Sequence, residues 1–249
     1  SEAMHSGMDL LASVITFFSI RLSVQPANES YPFGYGKIEN ISALLEGILL
    51  FAAALTIFTE AIPKIIYPEK TSATYLVIGV MSVAAVINYF IALYLYKVAT
   101  TEDSMALAAD AAHLRTDAYA AFGVSVGIGL MQITGFYIID PLIAILVATL
   151  IVKTAYKLSR NALAQLLDAG IPPDEHLKIN EVLERFQDKI INYHEIKTRK
   201  AGKSTFINLH ITIDKNLTVQ DSHTLEELIE SELGLAIQNA VVSIHVDPA

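Results

Sequence analysis

Residues 104–132 read SMALAADAAHLRTDAYAAFGVSVGIGLMQ, an almost unbroken run of alanine, glycine and branched apolar residues with Asp110, His113, Arg115 and Asp117 set inside it. The run exceeds the ~20 residues a helix needs to cross a hydrocarbon core, so it reads as a membrane span. An ionisable group at that depth costs several kcal/mol unless it is paired, coordinated or hydrated, which makes each one a functional candidate by default. His113 and Asp117 stand four residues apart. On a helix that spacing returns to nearly the same face, so both side chains can aim at one point.

Four more apolar stretches of comparable length surround it, roughly Met4–Val24, Ile38–Ile62, Ala73–Tyr96 and Tyr137–Tyr156, separated by turn residues such as Pro26, Asn28, Pro68 and Gly135. Five spans are therefore expected in a membrane domain over residues 1–160. The apolar share of 53% fits that reading, being high for a soluble domain. The formal charge of −9 argues against a nucleic-acid partner. Ser1 to Met4 carry no basic segment and no cleavage pattern of a signal peptide. If the connection after the second span lies outside, Lys64 and Lys70 are outside, while Arg21, Lys37, Lys97, Lys153, Lys157 and Arg160 are inside. That asymmetry places the C-terminal part in the cytoplasm.

The first span repeats the spacing of the fourth: His5 and Asp9 are also four apart. Two such helices side by side offer two imidazoles and two carboxylates, a tetrahedral set suited to Zn²⁺ and less exclusively to Co²⁺ or Fe²⁺. The chain has no cysteine, so any transition metal must be held by His, Asp and Glu. Glu46 and Asp110 are further intramembrane carboxylates without such pairing; helix-helix hydrogen bonding, partnership with Arg115 and a proton relay all remain open for them. Asp140, before Pro141, reads as a helix cap rather than a ligand.

Beyond a linker over 161–173, marked by Pro172 and Pro173, the pattern changes to charged amphipathic segments and alternating strands. The expected order is αββαβ over residues 174–249. It comprises a helix over Asp174–Ile190 with a stripe of Leu177, Val182, Leu183 and Phe186, and strands near Glu195–Lys200 and Ser204–Asp214. A helix capped by Asp221 or Ser222 and running to about Leu233 follows, then a strand over Ala240–Val246. Alternation puts His210 opposite the aliphatic face of its strand and projects His245 and Asp247 together, with His194 at the start of the first strand. That group can hold one or two divalent ions. His176 reads as a surface residue.

Several segments resemble, in order, signatures of the cation diffusion facilitator family: EAMHSGMD at 2–9, YPFGYGKIE at 31–39, HLRTD at 113–117, IDP at 139–141 and IHVDP at 244–248. The resemblance implies a six-helix membrane bundle with a cytoplasmic αββαβ domain, here without the family's first helix, five helices being visible. It implies a homodimer in a lipid bilayer that exchanges Zn²⁺ or a related ion for protons by alternating access, in a bacterial inner membrane for relatives of this type. It also implies a transporter rather than an enzyme. His5, Asp9, His113 and Asp117 match the family's transport site. His194, His210, His223, His245 and Asp247 match its cytoplasmic metal site. Lys37 and Asp168 match a charge pair that interlocks the two parts. Asn28, Tyr31 and Tyr35 stand where some relatives carry a peripheral metal site, which is therefore expected to be missing. Fe²⁺, Cd²⁺ and Mn²⁺ remain alternative cargoes. A membrane-anchored metal sensor and a channel are the competing functions; carboxylates at bilayer depth speak against the first, and tight ligation against the second.

Overall fold

A backbone in hydrocarbon must satisfy its own polar groups, and the apolar stretches do so as long helices. The computed structural model describes residues 2–67 and 75–249, with side chains for residues 7, 9–67, 76 and 78–249. The helices are α1 (Glu2–Ser23), α2 (Lys37–Ile66), α3 (Tyr75–Thr101), α4 (Met105–Thr134) and α5 (Ile139–Leu166). Ala73, where the third span was expected to begin, and Lys70 lie outside the described residues. Among the described residues, three helices are apolar and long enough to cross a membrane: α2, Ile78–Thr101 of α3, and α5. Composition therefore supports three of the five expected spans. α4 has the length, at 30 residues, but Asp110, Arg115 and Asp117 interrupt its apolar run. α5 continues past Tyr156, and past residue 160, to Leu166, because no glycine or proline stops it before Gly170. Asp140 lies inside the first turn of α5 rather than at its cap.

The chain forms two compact units, residues 1–25 with 38–163, and residues 26–37 with 164–249. In the first unit, small residues let helices approach closely. Ala43, Ala54, Ala109, Ala155 and Ala162 are fully buried among Leu50, Val147 and Ile151. Any Cβ on Gly47 would collide with Ser159 Oγ. Large side chains such as Phe17, Leu55, Phe90 and Leu146 point outward, as a lipid-facing surface requires. α4 opens on Ser104, whose side chain accepts from Leu107 N, and closes on Gly135 in the left-handed region at φ 73°. Glu39 of α2, 2% exposed, ties three helices. It accepts from Ser23 Oγ at 2.7 Å, Ser104 Oγ at 2.5 Å and Ala106 N at 3.4 Å.

The second unit has the order α6 (Pro173–Glu184), β1 (Asn192–Ala201), β2 (Ser204–Ile213), α7 (Val219–Ala236), β3 (Ala240–Pro248). β2 is central, antiparallel to β1 and parallel to β3. Its aliphatic face, Ile207, Leu209, Ile211 and Ile213, packs on Ile179, Val182 and Leu183 of α6 and on Leu225, Ile229 and Leu233 of α7. Several details differ from expectation. α6 stops at Glu184 rather than Ile190, and Ile179 occupies the stripe position given to Leu177, which is 60% exposed. α7 begins three or four residues before the start that a cap at Asp221 or Ser222 implies, because Thr218 caps it: Thr218 Oγ1 accepts from Asp221 N at 3.2 Å and donates to Asp221 Oδ2 at 2.6 Å.

The connection between α1 and α2 belongs to this second unit. Gly36 lies against Ala201 and Gly202 of the β1–β2 turn, where any Cβ would collide with the Ala201 carbonyl oxygen. Gly202 takes φ 59°, as the first position of a two-residue hairpin turn of this hand demands. Phe33 meets Phe206 edge-on at 5.4 Å, and the Arg199 guanidinium lies 4.5 Å from the Phe33 centroid and 4.6 Å from that of Phe206. Gly36→Ala should therefore release the connection from the hairpin, at a cost of about 1–3 kcal/mol for an overpacked contact. Hydrogen exchange over residues 26–37 checks this; unchanged protection would contradict the packing argument.

Candidate functional site

Two clusters of histidine and carboxylate arise from the elements just described. In the first unit, Asp9 of α1 meets His113 and Asp117 of α4. His113 Nε2 stands 3.1 Å from Asp9 Oδ1 and 3.5 Å from Asp117 Oδ2. Donor atoms of all three residues lie within 4.8 Å of one another, close enough for one cation. The His113 side chain is 11% exposed and its Nδ1 is buried without a hydrogen-bond partner. His5 lies on α1, one turn before Asp9, but its side chain lies outside the described residues.

The second cluster is written across the sheet. The ladder sets His194 of β1 opposite His210 of β2, and His210 opposite His245 of β3, so three imidazoles stand in one row across three strands. Ring centroids are 5.3 Å apart for His194 and His210, and 4.6 Å for His210 and His245. Asp247, two residues beyond His245 and so on the same face, reaches all three. Its carboxylate oxygens are 3.5 Å from His194 Nε2, 3.1 Å from His210 Nδ1 and 3.4 Å from His245 Nε2. Donor atoms of His194, His210 and Asp247 fit one ion. β1 starts at Asn192 rather than Glu195, so His194 lies within the strand, just before a bulge. Glu195 takes φ 49° there, and such a bulge re-aims the neighbouring side chain. His223 is not in this row. It sits on α7, its side chain 69% exposed, with Nε2 3.4 Å from Glu227 Oε1.

Lys37 and Asp168 meet at 2.9 Å, and Arg199 reaches the same Asp168 oxygen at 3.3 Å. Asp168 occupies the left-handed region at φ 57° just past α5, a conformation Asp tolerates and one that turns its carboxylate toward both cations. Sequence reasoning missed Arg199, whose partner Phe33 is far away along the chain, and Glu227, whose only local signal is its i,i+4 spacing from His223. At the peripheral position, Asn28 Nδ2 donates to the Tyr35 hydroxyl at 2.7 Å, and the rings of Tyr31 and Tyr35 are 4.6 Å apart.

A helical domain with membrane-crossing segments and an internal histidine–carboxylate cluster, followed by an α+β domain with a second one, defines a membrane protein that handles metal cations. The chain belongs to the cation diffusion facilitator family: residues 1–167 match the model of the cation efflux transmembrane domain, and residues 171–249 that of the cation efflux protein cytoplasmic domain. An uncharacterized transporter of Synechocystis sp. is 32% identical over 248 residues, covering 100% of this chain and 80% of that protein. The cation-efflux pump FieF of Yersinia pestis is 30% identical over 241 residues, covering 97% and 80%. The metal-bound C-terminal domain of the CzcD transporter from Thermotoga maritima is 34% identical, covering 30% of this chain and 87% of that one, with a TM-score of 0.29. Members of the family are integral to the membrane and carry their C-terminal domain in the cytoplasm, and they transport divalent metal cations rather than catalysing a reaction.

The Asp168 carboxyl is held below its ordinary value of 3.8, first by the hydrogen bond from Lys37, which outweighs the opposing desolvation, and further by the charges of Lys37 and Arg199. A depressed carboxyl contributes stability that is present above the ordinary value and is lost as pH falls through the depressed one. Protection of residues 26–37 from hydrogen exchange should thus hold constant above pH 4 and decline in more acidic solution, and Asp168→Asn should remove that decline. A decline of equal size in the variant would assign it to another group.

Proposed function

We propose that this chain exports a divalent transition-metal cation, zinc foremost, from the cytoplasm of a bacterial cell in exchange for protons, working by alternating access as a homodimer in the inner membrane. Family membership supports the transport of a divalent cation. The observation that carries the finer reading is the convergence of Asp9 from α1 with His113 and Asp117 from α4. A site built from two helices can open to one side and then the other when those helices move against each other, which a site on a single helix cannot. Its imidazole and carboxylates suit zinc, with Fe²⁺, Co²⁺ and Cd²⁺ as alternatives and Mn²⁺ the least suited to a histidine-bearing set. His5, one turn from Asp9, is the fourth ligand in this reading. A membrane-anchored sensor remains the weaker alternative, since it has no use for ligands at bilayer depth.

Proton exchange follows from the donor chemistry. Imidazole and carboxylate bind zinc only when deprotonated, so protons and metal compete. Apparent zinc affinity of the membrane cluster should fall as pH drops from roughly 7 to 5.5. His113→Asp should weaken that dependence and admit harder ions such as Mn²⁺. Zinc flux into vesicles holding the full chain should be abolished by Asp117→Ala; a near-native rate in the folded variant would remove Asp117 from the site.

The sheet cluster acts in this reading as a regulatory site. A cation there joins β1, β2 and β3 through His194, His210, His245 and Asp247, while His223 with Glu227 offers separate donors on α7. Asp247→Ala withdraws the carboxylate shared by three imidazoles. The full chain carrying it should bind fewer zinc ions, and zinc should no longer tighten its dimer in analytical ultracentrifugation. Equal zinc stoichiometry in variant and wild type would count against the assignment.

A further inference from the structure

Two glutamates of α2 are buried to the same degree and are surrounded differently. Glu39 is 2% exposed and Glu46 is 1% exposed. Glu39 accepts from two serine hydroxyls and from a backbone N–H in the first turn of α4, where the positive end of the helix dipole lies. Three donors and a helix N-terminus thus meet the acceptor needs of the Glu39 carboxyl group. Glu46 has a single donor, the Thr16 hydroxyl of α1, which bonds its Oε1. Its Oε2 is enclosed and has no hydrogen-bond partner. The titratable group that acts on it is a second acid, Asp110 of α4. α1 and α5, which flank this stretch of α2, present Thr16 to Glu46 and Ser159 to the adjoining Gly47. No Lys, Arg or His pairs with Glu46 among the described residues. An ionised carboxylate so placed in an apolar bundle is strongly disfavoured, and one bound proton removes that penalty.

Position gives the proton a use. Glu46 lies nine residues past Lys37, about 14 Å along α2 at the helical rise. Asp110 is within electrostatic reach of Glu46 on one side and of His113 on the other. Glu39, level with the start of α4, marks the cytoplasmic ends of both helices. Glu46 and Asp110 thus stand between those ends and the metal cluster. We propose that Glu46 is a proton-binding residue of the exchange cycle: it carries a proton while the Asp9, His113 and Asp117 cluster holds no cation, and releases it when a divalent cation arrives. The O–H bond at the Glu46 carboxyl breaks, its electron pair stays on the carboxylate, and the proton passes to water. The positive charge of the cation, felt through Asp110, then stabilises the new carboxylate. The metal ligands themselves are not asked to carry this proton. The inference rests on the proton-exchange reading given above.

The test uses the full chain in proteoliposomes, with zinc uptake and proton release recorded together as a function of pH, in wild type, Glu46→Gln and Glu46→Asp. Glutamine still accepts from Thr16 but cannot ionise. The expected result is one fewer proton per zinc in Glu46→Gln, a flattened pH profile of the zinc rate, and restoration of both by Glu46→Asp. Identical proton counts and pH profiles in wild type and Glu46→Gln overturn the role of Glu46 while leaving proton exchange standing. Zinc transport without proton movement in wild type overturns the exchange itself, and Glu46 with it. If Glu46→Gln fails to fold, infrared difference spectra of wild type decide. Zinc addition should remove the carbonyl band of a protonated carboxylic acid, and that band should shift in Glu46→Asp; no such loss in wild type overturns the proposal.

Discussion

A carboxylate carried into an apolar bundle must be answered by donors, a cation or a proton, and the first unit of this protein is organised by those answers. Glu39 is answered by hydroxyls on two other elements and by the start of α4, which draws α1, α2 and α4 together at one level. Asp9 and Asp117 are answered by one imidazole shared between two helices. The alanine and glycine lining of α2, α4 and α5 brings the backbones near enough for such short side chains to meet. Polar groups therefore specify which helices touch, and small residues permit the contact.

The second unit solves a different problem with the same residue types. Its sheet has one face committed to α6 and α7, and that packing leaves the other face open to ligands. Because β2 runs antiparallel to β1 and parallel to β3, a single register brings three histidines into line although they are separated by long stretches of chain. A short strand-to-strand distance then lets one carboxylate, Asp247, reach the whole row.

Much of this was legible in the sequence wherever periodicity carries the information. The four-residue spacing of His113 and Asp117 needs only helical geometry to be read. Alternation along Ser204–Ile213 and Ala240–Pro248 was enough to separate the aliphatic face from His210, His245 and Asp247. What was not legible depends on partners distant along the chain. Glu39 and Glu46 look alike in sequence; only Ser23, Ser104 and Thr16 tell them apart. The bulge at Glu195 leaves no periodic trace, and the Thr218 cap is masked in the sequence by Asp221, which shares in it and is itself a favoured capping residue. Where one unit ends and the other begins could not be read as a single boundary, since residues 26–37 cluster with a segment far downstream.

That last feature bears on how the protein is made. The connection of residues 26–37 leaves the ribosome well before Asp168, Arg199, Gly202 and Phe206 exist, so nothing yet awaits Phe33 and Gly36 while α2 to α5 are being inserted. Its docking is necessarily a late event of biogenesis, possible only once the β1–β2 hairpin has emerged and folded. A chain halted before that point would present an undocked Phe33, with Lys37 lacking its counter-charge, at the membrane surface. Unfinished molecules would thus differ from completed ones not in what they expose but in how freely this connection moves, since Phe33 stays exposed even when it is packed on Phe206 and Arg199.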